Sequence, residues 1–260
     1  MDCIGMISTA DAPQLIRLWA GTFGDDERLI GRFLELLPAM GDGLAAYENG
    51  TVIGAAYLLD AELSTGEKCG YIYAVAVDEK HRGKGIGAKI CRECLRLADQ
   101  KGMSVVYTLP AEESLYAWYE QRIGAKTALF CTFERVLPSD NDARIQRIGA
   151  EEYAAAREEI LYGRAHFRFS DAFMRFEEAL CSQYGGGMYR CGDGVACGYV
   201  DKGVLLVREA LGDAADFIPA LCAMLGAEYA LVRRAAPSGE PYIAATAEID
   251  STTVCGLTLD

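Results

Sequence analysis

The chain has 260 residues, 51% of them hydrophobic, and a formal net charge of −13. This is the composition of a globular protein, long enough for one large domain or two modest ones. The acidic balance argues against nucleic acid as a partner and suits a cationic substrate such as an amine, while the lack of any apolar run near 20 residues argues against a membrane partner.

The elements follow from patterning. Residues 3–8 read as a short strand, and Thr9-Ala10-Asp11 offers capping side chains to a helix from Ala12, where Leu15, Ile16, Leu18 and Trp19 recur at helical spacing. A second helix is expected over 26–37, stopped by Pro38. Residues 44–47 and 51–59 flank Asn49-Gly50, the strongest short turn signal, and predict a hairpin. Residues 71–77 form a β-prone run, 86–101 an amphipathic helix ended by Gly102, 105–109 a strand, 115–121 a short helix and 129–136 a strand.

The polar stretch Pro138-Ser139-Asp140-Asn141-Asp142 is the natural boundary, giving domains over 1–137 and 143–260. After it the element order repeats: strand 143–148, helices 150–161 and 171–184, a hairpin, strand 204–210, helix 214–225 and strand 229–233. Asn49-Gly50 and Asp193-Gly194 are 144 positions apart, as are Gly54 and Gly198, which suggests two copies of one α/β unit.

Ten cysteines are scattered through these elements, and there are only two histidines. Cys91 and Cys94 form a C-x-x-C pair on a predicted helix, with no second pair to complete a zinc site, so packing is expected and no metal. The N-terminal residues lack the basic and apolar regions of a secretory signal, and a cytoplasmic protein is the expectation.

Chemistry concentrates in one stretch. The strand end Val75-Ala76-Val77 leads through a charged turn into Arg82-Gly83-Lys84-Gly85-Ile86-Gly87 and then a helix. The first amides of a helix lack intrahelical partners and, with the helix dipole, favour an anion. Glycines let the backbone approach a phosphate closely, and Arg82 and Lys84 add cationic donors. The spacing is neither that of a P-loop nor that of the dinucleotide fingerprint; the bland alternative is a flexible turn.

This stretch resembles the acyl-CoA signature of the GNAT superfamily of N-acetyltransferases, and the likeness extends over residues 1 to about 137. The resemblance implies a mixed, mostly antiparallel sheet flanked by helices, of α+β type. It also implies acetyl-CoA as co-substrate, with pantetheine held by Val75, Ala76 and Val77. The pyrophosphate would be held by Arg82, Gly83, Lys84, Gly85, Ile86 and Gly87. A second match lies at Tyr119-Glu120-Gln121-Arg122-Ile123-Gly124-Ala125, similar to the end of the family's last helix. There Tyr119 takes the place of the general acid that protonates the leaving thiolate. One extra residue before Gly124 and an alanine at Ala125 depart from the pattern and suggest a bulged helix end. Tyr119 also admits a reading as a half-buried core aromatic.

Candidates for a general base are Glu67, Tyr71 and Tyr73. By two-residue alternation Tyr71, Tyr73, Val75 and Val77 share a face, although both tyrosines could equally be packed in the sheet. In the second copy the loop position reads Leu211-Gly212-Asp213-Ala214-Ala215-Asp216, with one glycine, no cation and two aspartates. It resembles a degenerate GNAT-like module, structural or acceptor-shaping, with Arg233, Arg234 and His166 as residues that could touch substrate or simply be solvated. The expected function is transfer of acetyl from acetyl-CoA to a primary amine by direct attack in a ternary complex, with a backbone amide of 75–77 polarising the thioester. The alternative is an acyl-CoA-binding regulator or scaffold without transferase activity.

Overall fold

The computed structural model describes every residue except 2, 141 and 260, so Asn141 of the expected linker lies outside the described residues. In chain order the first elements are β1 (Cys3–Met6), α1 (Ala12–Phe23), α2 (Glu27–Leu36), β2 (Gly41–Glu48), β3 (Thr51–Leu63), β4 (Lys68–Val77), α3 (Ile86–Gln100), β5 (Val105–Thr108) and α4 (Glu113–Ile123). Then come β6 (Lys126–Val136), β7 (Gln146–Ile148), α5 (Ala150–Ile160), β8 (Phe167–Phe169), α6 (Asp171–Gln183), β9 (Gly187–Cys191), β10 (Gly194–Asp201), β11 (Val204–Leu211), α7 (Ala214–Met224), β12 (Tyr229–Ala236) and β13 (Glu240–Ala245). The class is the expected one, mixed α/β with mostly antiparallel strand pairs and flanking helices. No helix among the described residues is long and apolar enough to cross a membrane.

Two compact units form. The first is Met1–Ala128 with Arg168–Ala172 and Tyr242–Ile249; the second is Leu129–Phe167, Phe173–Pro241 and Asp250–Asp260. Leu129 onward, expected to close the first segment, belongs to the second unit, where β6 pairs antiparallel with β12.

In the first unit the strand order is β1-β2-β3-β4-β5-β13. The pairs are antiparallel except β4 with β5, which is parallel. Local chemistry sets the boundaries. The Asp26 carboxylate accepts from the amides of Arg28 and Leu29 and so starts α2. Asn49 and Gly50 both take positive φ, 50° and 74°, which a tight hairpin turn needs.

Alternation along β2 and β3 sends residues to two helical layers. Leu44, Ala46, Ile53, Ala56 and Leu58 meet Ile86, Ile90, Cys91, Cys94 and Ala98 of α3. Ala45 and Ala55 pack on the other face with Leu15 of α1, beside Trp19, Phe33 and Tyr57, whose rings lie 4.9 to 5.3 Å apart. Cys91 and Cys94 therefore fill the core face of α3, and burial pushes the Cys91 thiol up to about 12.

In the second unit the order is β6-β12-β11-β10-β9-β7, with β11 parallel to β12. Its hairpin differs from the first by one residue. The turn is Gly192-Asp193, with Gly192 at φ 56°, and Gly194 already belongs to β10. The matching Asn-Gly and Asp-Gly dipeptides thus sit one position apart in their turns.

Candidate active site

A bulge near the end of β4 organises the site in the first unit. Ala55 pairs with Ala76 and Tyr57 with Tyr73, leaving Ala74 and Val75 opposite Ala56 alone. Ala74 takes φ 48°, and the extra residue reverses the facing of everything after it. This corrects the expectation that Tyr71, Tyr73, Val75 and Val77 share one face. Tyr73 lies 5.4 Å from Trp19 and 5.5 Å from Phe33, on the α1 and α2 side. Val75 and Val77 pack instead with the α3 cluster.

Beside the bulge, β4 and β5 part. Their parallel ladder ends at Tyr71 and Tyr107, and β5 then pairs on its other side with β13, Thr108 opposite Ala244. One bond marks the parting point: Thr108 Oγ1 donates to the Ile72 carbonyl at 2.9 Å. Past it, Tyr73, Ala74, Val75 and Val77 are partly exposed.

Tyr119 reaches this point from α4. It is 6% exposed, packed against Cys91 and Cys94, and its hydroxyl lies beside the Thr108 side chain. Burial raises the phenol well above its ordinary range, keeping it neutral. The expected bulge at the end of α4 is absent: the helix runs unbroken to Gly124, which caps it at φ 74°. The extra residue is absorbed as added helix length. Sequence reasoning missed Thr108 and Ala74. It also missed Tyr116, whose hydroxyl donates to the Tyr242 carbonyl at 3.1 Å, and neither an ordinary strand threonine nor an alanine carries a sequence signal.

The glycine-rich loop follows β4 directly. Asp78 caps a single turn over Glu79–His81 by accepting from the Lys80 amide. His81 Nδ1 is 2.8 Å from Asp78 Oδ1 and its Nε2 3.1 Å from Glu48 Oε2, which ties the loop to the β2–β3 hairpin. The His81 bond holds the Asp78 carboxyl below its usual range. Arg82 Nε donates to the Val77 carbonyl at 3.0 Å. Gly83 and Gly85 take φ 75° and 73°, and a Cβ on either would meet nothing within 4 Å. The first intrahelical bond of α3 runs from the Lys89 amide to Gly85, so the amides of Ile86 and Gly87 open toward that space. The arrangement leaves an open, amide-lined space of the kind an anionic group can enter.

The remaining candidates fall elsewhere. Glu67 precedes β4, so about 30 Å of strand separates it from Val77, and it is exposed and hydrogen-bonded to Thr65. Tyr71 is buried and stacked on Tyr107 at 4.8 Å. Within the second unit Arg233 donates to the Gly256 carbonyl at 2.6 Å, Arg234 pairs with Glu134 at 2.8 Å, and His166 is buried against Glu158. All three serve internal contacts.

The second unit's loop has no cradle. Gly212 takes φ 59°, but a Cβ there would lie 2.3 Å from the Asp193 carbonyl oxygen. The hairpin turn fills the space that stays open above Gly83 and Gly85.

Comparison with known proteins agrees with this geometry. Residues 12–125 match the model of the acetyltransferase (GNAT) family. No curated protein matches the chain. Among solved structures, a GCN5-related N-acetyltransferase from Kribbella flavida shares the fold at 17% identity and TM-score 0.65, covering 94% of this chain and 70% of its own. One from Anabaena variabilis does so at 12% and 0.66, covering 94% and 72%. Eis1 from Mycobacterium abscessus is similar at 16% and 0.64, covering 93% and 73%. The parted strands, the bulge and the open glycine loop lie in or beside the segment that matches the acetyltransferase (GNAT) family model, in a fold shared with solved N-acetyltransferases.

Proposed function

We propose that the first unit transfers an acetyl group from acetyl-CoA to a primary amine by direct attack in a ternary complex. The observation that carries this reading is the pairing of an open amide cradle at Gly83–Gly87 with a bulged strand end at Ala74–Val77. Arg82, Gly83, Lys84, Gly85, Ile86 and Gly87 would hold the pyrophosphate, with Lys84 as the exposed cation. Val75, Ala76 and Val77 would hold pantetheine by backbone hydrogen bonds. The bulge frees main-chain groups from the β3 ladder, and an amide among them would polarise the thioester carbonyl as negative charge develops on it.

Tyr119 is the proposed general acid. Its hydroxyl lies beside Thr108 where β4 and β5 separate, and burial keeps the phenol neutral until a thiolate arrives. Tyr73, next to the bulge, is the base candidate best placed to relay the amine proton, directly or through water. Glu67 and Tyr71 are too distant or too enclosed. Attack requires no covalent enzyme intermediate.

The second unit is proposed as a degenerate GNAT-like module that binds no CoA, because its loop position is filled and carries aspartates. Acceptors of cationic character suit the net charge of −13. The test is release of free thiol from acetyl-CoA across a panel of primary amines. Turnover with any amine supports the transfer reading. Stoichiometric CoA binding without turnover across the panel would favour a regulator instead.

A further inference from the structure

Within the second unit a buried group of thiol and charged side chains stands apart from the transfer chemistry. Cys181 Sγ, on α6, lies 3.5 Å from Cys197 Sγ, on β10. Each sulfur is 3.7 Å from the same carboxylate oxygen, Glu177 Oε1. Arg208 Nη1, from β11, reaches that oxygen at 3.0 Å. None of the four is more than 3% exposed.

The backbone enforces the meeting of the sulfurs. The connection after α6 presses on β10 so closely that a Cβ on Gly186 would lie 2.1 Å from the Gly198 carbonyl oxygen. The Gly186 amide donates back to the Cys181 carbonyl at 2.8 Å, and the Val200 amide donates to the Tyr184 carbonyl at 3.0 Å. The first bond closes the end of α6 on itself, and the second ties that end to β10.

Three donors of this kind invite a metal ion, but Arg208 already places positive charge on the shared carboxylate. The set also falls short of the four ligands a closed thiolate site takes. Oxidation of the two thiols answers the geometry better. We propose that Cys181 and Cys197 form a redox dithiol, closed to an intramolecular disulfide by a small hydroperoxide.

In the first step one thiol passes its proton to Glu177, and its thiolate, beside the Arg208 cation, attacks the hydroperoxide. The O–O bond breaks, a sulfenic acid forms, and the departing alkoxide takes the proton from Glu177 and leaves as an alcohol. The second sulfur then displaces hydroxide from the sulfenic sulfur. An S–S bond forms, and the hydroxide leaves as water with the second thiol's proton. Two thiols are oxidised and one hydroperoxide is reduced. The sulfurs must close by about 1.5 Å to reach disulfide distance, a side-chain adjustment. Full burial restricts the reaction to an oxidant of small size.

The test uses the intact wild-type chain. It is exposed to hydrogen peroxide, unfolded, alkylated and digested, and its peptides are mapped by mass spectrometry. The expected product is a peptide pair joining Cys181 to Cys197, lighter by two hydrogens, with the other cysteines alkylated. It should revert on reduction and should raise the denaturant midpoint over that of the reduced chain. Cys197→Ser should give neither the linked pair nor the raised midpoint. Cys181 and Cys197 alkylated throughout, while peroxide oxidises other cysteines first, would overturn the proposal. So would a linkage of either residue to a different partner. Both readings come from the wild-type protein, so they stand even where the serine variant folds poorly.

Discussion

Thr108 Oγ1 donates to the Ile72 carbonyl at 2.9 Å at the last point of contact between β4 and β5, and the same side chain lies beside the Tyr119 hydroxyl. One buried hydroxyl thus closes the base of the parted strands next to the phenol. Thr108→Val keeps the shape and removes the bond to Ile72. It should cost about 1–3 kcal/mol in urea unfolding, the penalty for buried polar groups left without partners. It should also lower kcat, because the Tyr119 hydroxyl loses its polar neighbour.

Tyr119→Phe removes only the proton donor. A loss of about 10²-fold in kcat is expected, at the low end of general acid contributions, with KM for acetyl-CoA little changed. Steady-state kinetics with acetyl-CoA and a turned-over amine would show it. An unchanged kcat would remove Tyr119 from the mechanism and leave it as a core aromatic.

Gly85→Val tests the anion cradle. The position has φ 73°, and a Cβ there would have no neighbour within 4 Å, so the fold should survive at a cost of roughly 1–2 kcal/mol for left-handed backbone. The branched side chain would stand where a pyrophosphate must approach. CoA affinity measured by calorimetry should fall at least about tenfold, or about 1.4 kcal/mol. Wild-type affinity in this variant would sink the loop assignment.

Asp78 gives a pH dependence with a definite sign. Its hydrogen bond with His81 lowers its pKa in the folded protein, so the unfolded chain binds the proton at higher pH. The bond's contribution is present above the ordinary carboxylate value, about 3.9, and is lost as pH falls through the lower folded value. Asp78→Asn should therefore differ from wild type by a constant margin at neutral pH and by a shrinking one below about pH 4. Denaturation series at stepped pH would measure it, and the margin should be small because the pair is largely solvated.

Arg157 and Glu209 form a buried pair in the second unit at 2.9 Å, each 2% exposed, with the Tyr153 hydroxyl also on Glu209. Arg157→Leu strands a carboxylate in the core and should cost about 3–5 kcal/mol. Replacing Glu209 by Gln in that background should recover part of the loss. A double-mutant cycle by chemical denaturation is the measurement.

Residues 75–87 were legible in the sequence because their chemistry is local: glycines, charges and a strand-to-helix transition leave marks at fixed spacing. The helices and the first hairpin were legible for the same reason, through periodicity, Pro38 and Asn49-Gly50. The bulge was not, since Ala74 takes a left-handed conformation that alanine rarely adopts and nothing nearby announces. Strict alternation therefore placed Tyr73 and Val75 on one face when one added residue separates them. β13 was missed because Pro241 within it argues against a strand. The course of the chain between units depends on long-range pairing, which no local pattern records.

The placement of β13 also bears on biosynthesis. β5 receives its second neighbour only from Tyr242–Ala245, which leave the ribosome well over a hundred residues after Thr108. Until then a nascent chain carrying every residue proposed to bind acyl-CoA still presents a bare strand edge next to Thr108. The site should mature late, and a fragment cut at residue 137 should be a poorer, more association-prone protein than its share of the motifs suggests.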